Sequence, residues 1–393
     1  MKGILTKSLV ALGLVAGMAS TAMAQQGVSD TEIVIGSNGD LSGVFAPFNV
    51  QAIKALQQTF DEVNAAGGIH GRKIRFIVED HGYQVPKAVQ NFNKLVNSDR
   101  VFVMVSNLGT PHNLAGFPIM EAAKVANVSP LSAARQMIEG DTTYKYTGGS
   151  SYYDQLKAAI EYLSKETGAK EICSMYFPSD FGLEVYEGTK EKAEELGLSY
   201  AAETTHKPDD QDFVGSLTKL REAGCDIVST AVGVRQTIVI LGTAKKLGWN
   251  DVAFVGSSAG FNTAVAKVPG GVTEGYYAAA SWSDLENRLA TNEELRKWAE
   301  GFKAATGEDP GTAAQLGRSA GVTLVKALEA AGKDLTPESF QKGMESLAFH
   351  DPIADGDIKY GPGDHQGGDV IVINKIEGGV WKEVGRVDPT KSQ

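Results

Sequence analysis

The chain has 393 residues, 42% apolar and 22% charged, with 48 acidic against 37 basic side chains and a formal net charge of −11. That length suffices for two domains that each bury a core, and that charge argues against a nucleic-acid partner, because neutralising phosphates needs a basic face. Six histidines scattered without ligand spacing give no support for a metal site, and two cysteines are too few for a disulfide framework.

Residues 1–24 read as a secretory signal peptide. Lys2 and Lys7 make a positive start, 9–18 is an apolar run, and Ala22-Met23-Ala24 is a small-x-small cleavage site. The run is too short to span a bilayer, and no later stretch offers about eighteen uninterrupted apolar residues. No cysteine follows the cleavage site, so lipid attachment there is not expected. The mature chain is therefore expected in the periplasm.

EIVIGS at 32–37 has the β-branched character of a strand. The helical run 52–68 follows and closes on Gly67-Gly68, as a helix C-terminus should. The cycle repeats through strand 73–81, helix 86–96, strand 101–106, helix 111–124 and a short strand near Val128. This is the rhythm of a parallel sheet covered on both faces. Residues 140–151 (GDTTYKYTGGSS) are polar and glycine-bearing, as a crossing strand or hinge would be.

A second cycle predicts helix 153–167, strand 171–177, helix 182–196, strand 198–206, helix 213–223, strand 225–232, helix 235–247 and strand 252–257. From 275 the pattern changes to a strand (GYYAAASW), helices over 293–306 and 312–331, and a third opened by Thr336-Pro337. A tail of strands with tight turns follows. The late helices and the late hairpin suggest a return to the first lobe and then a second crossing. Cys173 and Cys225 each open a strand-like run, which suits either two buried thiols or one bridge between neighbouring strands in an oxidising compartment.

VAFVGSSAGFN at 252–262 contains G-x-S-x-G after an apolar run, the pattern of a hydrolase nucleophile elbow with Ser258 as nucleophile. His350 and His365 lie downstream but in no triad signature, and no HGGG-type oxyanion segment precedes the serine.

The order of residues resembles the periplasmic substrate-binding proteins of branched-chain-amino-acid-type ABC transporters (the Leu/Ile/Val-binding family). The resemblance is carried by GSNGDLSGVFAPFN, DEVNAAGGIHGRKIRFIVEDHGYQVPKAV, VSNLGTPHNLAGFPIMEAAKVANVSPLSAA and PSDFGLEVYEGTKEKAEELG. It spans nearly the whole mature chain. It implies the type I periplasmic binding fold, in which two doubly wound parallel-sheet α/β lobes joined by three hinge crossings close on a small ligand like a Venus flytrap. It also implies no catalysis, no cofactor, a monomer, and a membrane permease that reads the closed form. The lobes are expected at 27–146 plus 276–350 and at 147–275 plus 351–393.

In open α/β sheets ligands sit outside the carboxyl ends of strands, beside helix N-termini, and two facing lobes make a cleft. Gly109-Thr110-Pro111 follows one such strand. Thr110 suits an N-cap, and its hydroxyl and the nearby amides suit a ligand carboxylate. The resemblance places the family's ligand-binding hydroxyl on Thr110. It also implies backbone and hydroxyl contacts from Ser129-Pro130-Leu131-Ser132-Ala133, although Leu131 and Ala133 depart from the family's S-P-A-x-T, so the second hydroxyl comes from Ser132 or is missing.

Phe45, Phe48, Tyr152, Phe181, Tyr276 and Tyr277 are aromatic candidates for an apolar pocket or for ordinary core packing. The family favours aromatics at Phe48 and Phe181. Arg235 suits either a bidentate grip on a carboxylate or a surface ion pair.

Matching to the amino-acid-binding members puts Ser258 where a glutamate meets the ligand's ammonium, so the elbow pattern reads as a cleft loop. Without that carboxylate a buried ammonium stays unpaired unless Asp180, Glu184 or Asp284 supplies the charge. The expected ligand is then a small carboxylate, either a hydrophobic amino acid or an aromatic acid. A secreted serine esterase and a ligand-sensor domain are the alternative readings.

Overall fold

The computed structural model describes residues 25–388. The signal-peptide reading falls on residues 1–24 and lies outside the described residues. In chain order the first half runs β1 (Glu32–Gly39), α1 (Ala46–Ala65), β2 (Lys73–Asp80), α2 (Val85–Asn93), β3 (Val103–Val105), α3 (Thr110–Ala122), β4 (Ala126–Val128) and β5 (Lys145–Tyr146). These five strands form one parallel sheet in the order β2-β1-β3-β4-β5. Ile33, Val34 and Ile35 of β1 are all buried, because helices cover both faces of the sheet.

The second half runs α4 (Tyr152–Thr167), β6 (Glu171–Tyr176), α5 (Asp180–Glu195), β7 (Ser199–Thr205), α6 (Val214–Glu222), β8 (Ile227–Ala231), α7 (Val234–Lys246), β9 (Ala253–Gly256), α8 (Thr263–Ala266) and β10 (Tyr277–Ala280). Then come α9 (Glu293–Thr306), α10 (Thr312–Ala331), α11 (Pro337–Glu345), β11 (Ala348–Asp351), β12 (Gly356–Lys359), β13 (Ile371–Glu377) and β14 (Val380–Val387). The second sheet has the order β14-β13-β10-β9-β8-β6-β7, with all strands running one way except β13, which is antiparallel to both of its neighbours, β10 and β14. The molecule is thus an α/β protein of two lobes.

α10 returns to the first lobe and packs along α1. A Cβ at Gly317 would overlap the Ala52 carbonyl, so only glycine permits this closeness of the two helices. The sequence division began the return at residue 276. Tyr277–Ala280 instead pairs β9 on one side and β13 on the other, because its small apolar residues fill the buried middle of the second sheet. The return follows β10.

Three segments cross between the lobes, and hydrogen bonds tie them side by side. Ser150 N–H donates to Ser281 Oγ at 2.8 Å. The Thr147 amide donates to His365 O, and the Gly367 amide to Thr147 O, each at 2.9 Å.

Cys173 in β6 and Cys225 just ahead of β8 form a disulfide with Cα atoms 5.8 Å apart. The reading of two separate thiols is corrected accordingly. β6 and β8 are adjacent, with Cys173 facing Val228 in register, so the two side chains come within bonding reach.

Candidate ligand-binding cleft

The cleft is built at the carboxyl ends of the strands. In the first lobe a buried asparagine chain holds the loops there. Asn107 Oδ1 accepts from the Asn38 amide, Asn107 Nδ2 donates to Asn127 Oδ1, Asn127 Nδ2 to Asn113 Oδ1, and Asn113 Nδ2 to Gly109 O. Fully satisfied buried amides of this kind fix loop geometry. They deliver Gly109 at φ 98°, a left-handed value that glycine tolerates, and a Cβ there would collide with the His112 ring.

α3 therefore starts one residue earlier than the sequence reading had it. Gly109 is the N-cap and Thr110 the first helical residue, with no side-chain cap bond. This frees the Thr110 hydroxyl, which lies 2.8 Å from Ser132 Oγ. The first amides of α3 have no intrahelical carbonyl to bond and carry the positive end of the helix dipole.

Aromatic rings wall this corner. Asp40 accepts from the amides of Gly43 and Phe45, which folds the loop that aims Phe45 inward. The Phe45 ring centroid lies 4.9 Å from Tyr83 and, across the cleft, 5.9 Å from Phe181 in an edge contact. Tyr152 meets Phe181 at 5.3 Å. Tyr83 sits at φ 59° and leans on His112, which stacks on His81 at 4.3 Å. Burial holds both imidazoles in the neutral form, with His81 pushed down to about 3 and His112 to about 4. Burial also keeps the Tyr152 phenol protonated, pushed up to about 12, and raises Tyr83 as well, so both rings offer hydroxyl groups and not phenolates.

The second lobe supplies Tyr152 and Gln155 from the first turn of α4, Phe181 from the start of α5, and the loop after β9. Gln155 Oε1 accepts from the Ser258 amide at 2.8 Å while its Nε2 donates to Ser150 O, locking that loop to the first crossing. The two glycines of G-x-S-x-G have a packing reason. A Cβ at Gly256 or at Gly260 would strike the Tyr276 hydroxyl, which bonds Thr230 Oγ1 at 2.9 Å.

These groups surround a cavity of about 970 Å³ between the lobes. Phe48, Gly109, Thr110, Leu131, Ser132, Ala133, Tyr152, Phe181 and Ser258 all border it, as does Phe45. Arg235 and Tyr276 do not. Arg235 is exposed on α7, and Tyr276 is buried beneath the 256–260 loop, where it supports the wall without forming it.

Tyr83, Gln155 and Trp282 border the cavity and escaped sequence reading. A glycine-tyrosine pair just past the end of β2 was the available signal for Tyr83. Gln155 and Trp282 had none.

The three carboxylates that sequence offered to an ammonium are outside this lining. Glu184 binds Arg135, and Asp284 accepts the amides of Glu286 and Asn287. All carboxylates that do line the cavity belong to residues 355–388, on the side of β12 and the third crossing. There His350 is bonded to Asp357, while His365 bonds the carbonyls of Thr142 and Lys145, so neither candidate base is paired with Ser258.

Hydroxyls, rings and a helix N-terminus facing one another across two hinged α/β lobes define a solute-binding protein. The family model described as "Periplasmic binding protein" matches residues 32–379, and the chain belongs to that family. An amino acid binding protein of Pseudomonas aeruginosa is 24% identical over 224 residues, covering 57% of this chain and 60% of that protein. A fatty acid ABC transporter substrate-binding protein from Thermomonospora curvata has 26% identity and a TM-score of 0.81, with 92% of this chain and 93% of that chain covered. An ABC transporter solute-binding protein from R. palustris in complex with benzoate shares the fold, with 18% identity and a TM-score of 0.80 over 91% of this chain and 97% of that one.

Proposed function

We propose that this protein is the periplasmic solute receptor of an ABC importer, capturing a small carboxylate with an apolar, preferably aromatic, body and presenting it to membrane permease subunits. The ligand carboxylate docks at the N-terminus of α3, where free amides and the Thr110 and Ser132 hydroxyls converge. Phe45, Phe48, Tyr83, Tyr152 and Phe181 enclose its body. Closure of the lobes removes it from water and makes binding visible as a change of shape.

The observation that carries the choice of ligand is where charge stands in the cavity: among the described residues, every carboxylate that lines it belongs to residues 355–388. An ammonium buried beside Thr110, Ser132 and the rings meets none of Asp180, Glu184 and Asp284, and left unpaired it costs several kcal/mol in order of magnitude. The ligands named for the similar proteins, an amino acid, a fatty acid and benzoate, share a carboxylate and differ in whether an ammonium accompanies it. This chamber suits the two without one. Hydrophobic amino acids are the second reading.

The test is thermal denaturation with benzoate, 4-hydroxybenzoate, octanoate and leucine in turn, since a ligand that binds only the folded form raises Tm by mass action. Benzoate or its relatives should raise it and leucine should not. A shift with leucine alone overturns the aromatic assignment.

A further inference from the structure

Arg135 lies three residues beyond Ser132, in the segment that follows the cleft wall of the first lobe. Its backbone amide donates to Glu184 Oε2 at 3.1 Å, its Nε to Glu184 Oε1 at 2.9 Å, and its Nη2 to Glu187 Oε2 at 2.6 Å. The guanidinium also lies 3.9 Å over the Tyr153 ring. Glu184 and Glu187 are on α5 and Tyr153 on α4, so every one of these contacts runs from the first lobe to the second. The Glu184 side chain is 1% exposed, that of Arg135 34%. Burial raises the Glu184 carboxyl above its ordinary range against the opposing pull of Arg135.

We propose that Arg135 is a positioning residue that latches the closed cleft, joining the ligand-facing segment 129–134 to α5 of the opposite lobe through Glu184 and Glu187. The inference rests on the reading that the lobes close around a solute. The same segment is stapled to the second lobe a second time, where Ala133 O accepts the Tyr152 amide at 2.7 Å. Any hinge opening that separates the segment from α5 must break three hydrogen bonds to charged groups at once. It also moves the guanidinium off its aromatic platform. A carboxylate as enclosed as Glu184 is tolerated in the closed form because the guanidinium meets it, and truncating one partner of such a pair acts chiefly on dissociation. Arg135 touches the ligand chamber through Ser132 and Ala133, not directly, so its effect is on how long the cleft stays shut.

The experiment places spin labels at Gln90→Cys and Asp209→Cys, exposed positions on opposite lobes, and reads the interlobe distance distribution without added ligand and with saturating benzoate. The wild type should show a short-distance population in both conditions. Arg135→Ala should lose it without ligand and raise the benzoate dissociation rate about tenfold, with association little changed. Arg135→Lys, which keeps a charge near Glu184 but not the forked contact, should recover part of it. Near-UV circular dichroism of each variant reports whether the fold is intact. Equal short-distance populations in the wild type and Arg135→Ala, or none in the ligand-free wild type, would overturn the latch. The ligand-free distances decide this whether or not benzoate binds, and absence of binding by benzoate and its relatives would count against the ligand assignment alone.

Discussion

The hydroxyl oxygens of Thr110 and Ser132 lie 2.8 Å apart, one at the first turn of α3 and the other 22 residues later beyond β4. Each can turn its proton toward an incoming carboxylate once the bond between them is released. Thr110→Val and Ser132→Ala should each weaken carboxylate binding by about 1.5–3 kcal/mol, roughly ten-fold or more, with Tm of the free protein little changed. Titration calorimetry with the panel carboxylate that gives the largest thermal shift checks this. Undiminished affinity in both variants would move the carboxylate elsewhere.

Gly260→Ala should destabilise the protein by about 1–3 kcal/mol, since its Cβ would strike the Tyr276 hydroxyl. Tyr276→Phe removes the obstructing oxygen and should restore part of that loss in the double variant. Urea denaturation of the four proteins measures the coupling. Independent, additive effects would mean that the glycine is not there for Tyr276.

His81 and His112 are buried and neutral, with values depressed to about 3 and about 4 against an ordinary 6.5. The unfolded chain binds those protons first, so this contribution to stability is complete above pH 6.5 and is lost as pH falls from there toward about 4 for His112 and about 3 for His81. Each imidazole contributes a slope of up to about 1.4 kcal/mol per pH unit. Asp284, raised to about 6 by burial, works in the opposite direction below that pH. Comparison with His112→Phe, which keeps a ring against His81, isolates the histidine share. Its denaturation profile should fall less steeply between pH 7 and 5, and identical slopes would refute the assignment.

The Cys173–Cys225 bridge spans 52 residues of sequence, for which loop-closure entropy gives about 4 kcal/mol of stabilisation. Replacing both cysteines by alanine should lower the urea midpoint accordingly, and dithiothreitol should do the same to the wild type. Insensitivity to both would show that the bridge does not contribute in solution.

Ser258 presents the elbow pattern, yet its amide is held by Gln155 and its neighbours serve packing around Tyr276. A fluorophosphonate probe should leave the protein unlabelled. Labelling that disappears in Ser258→Ala would revive the hydrolase reading.

The alternation of β-branched runs with amphipathic helices specified two α/β lobes, because period-2 and period-3.6 patterns are local properties of the chain. The same signals placed Thr110 at a strand-to-helix corner and put Phe48 and Phe181 in loops at strand ends, whereas both stand in the first turns of helices, α1 and α5. Hidden from that reading were contacts made by residues distant in sequence. Tyr276 suited either a pocket ring or core packing in sequence, and its place beneath the 256–260 loop depends on two glycines that leave room for its hydroxyl. Arg235 suited either a carboxylate grip or a surface position in sequence, and it is exposed on α7. The bridge between Cys173 and Cys225 follows from β6 lying beside β8, a strand order that adjacent residues do not encode.

By itself, then, the sequence determined the elements, their parallel rhythm and the hydroxyl-bearing corner at residues 109–110, since each is written in residues near one another along the chain. Only the tertiary structure decided that Asp180, Glu184 and Asp284 stay out of the cavity lining, that Tyr83 and Gln155 belong to it, and that Arg135 reaches across to Glu184. Those outcomes depend on which strand ends and helix starts face each other over the cleft, and that is fixed by sheet order and by packing between lobes.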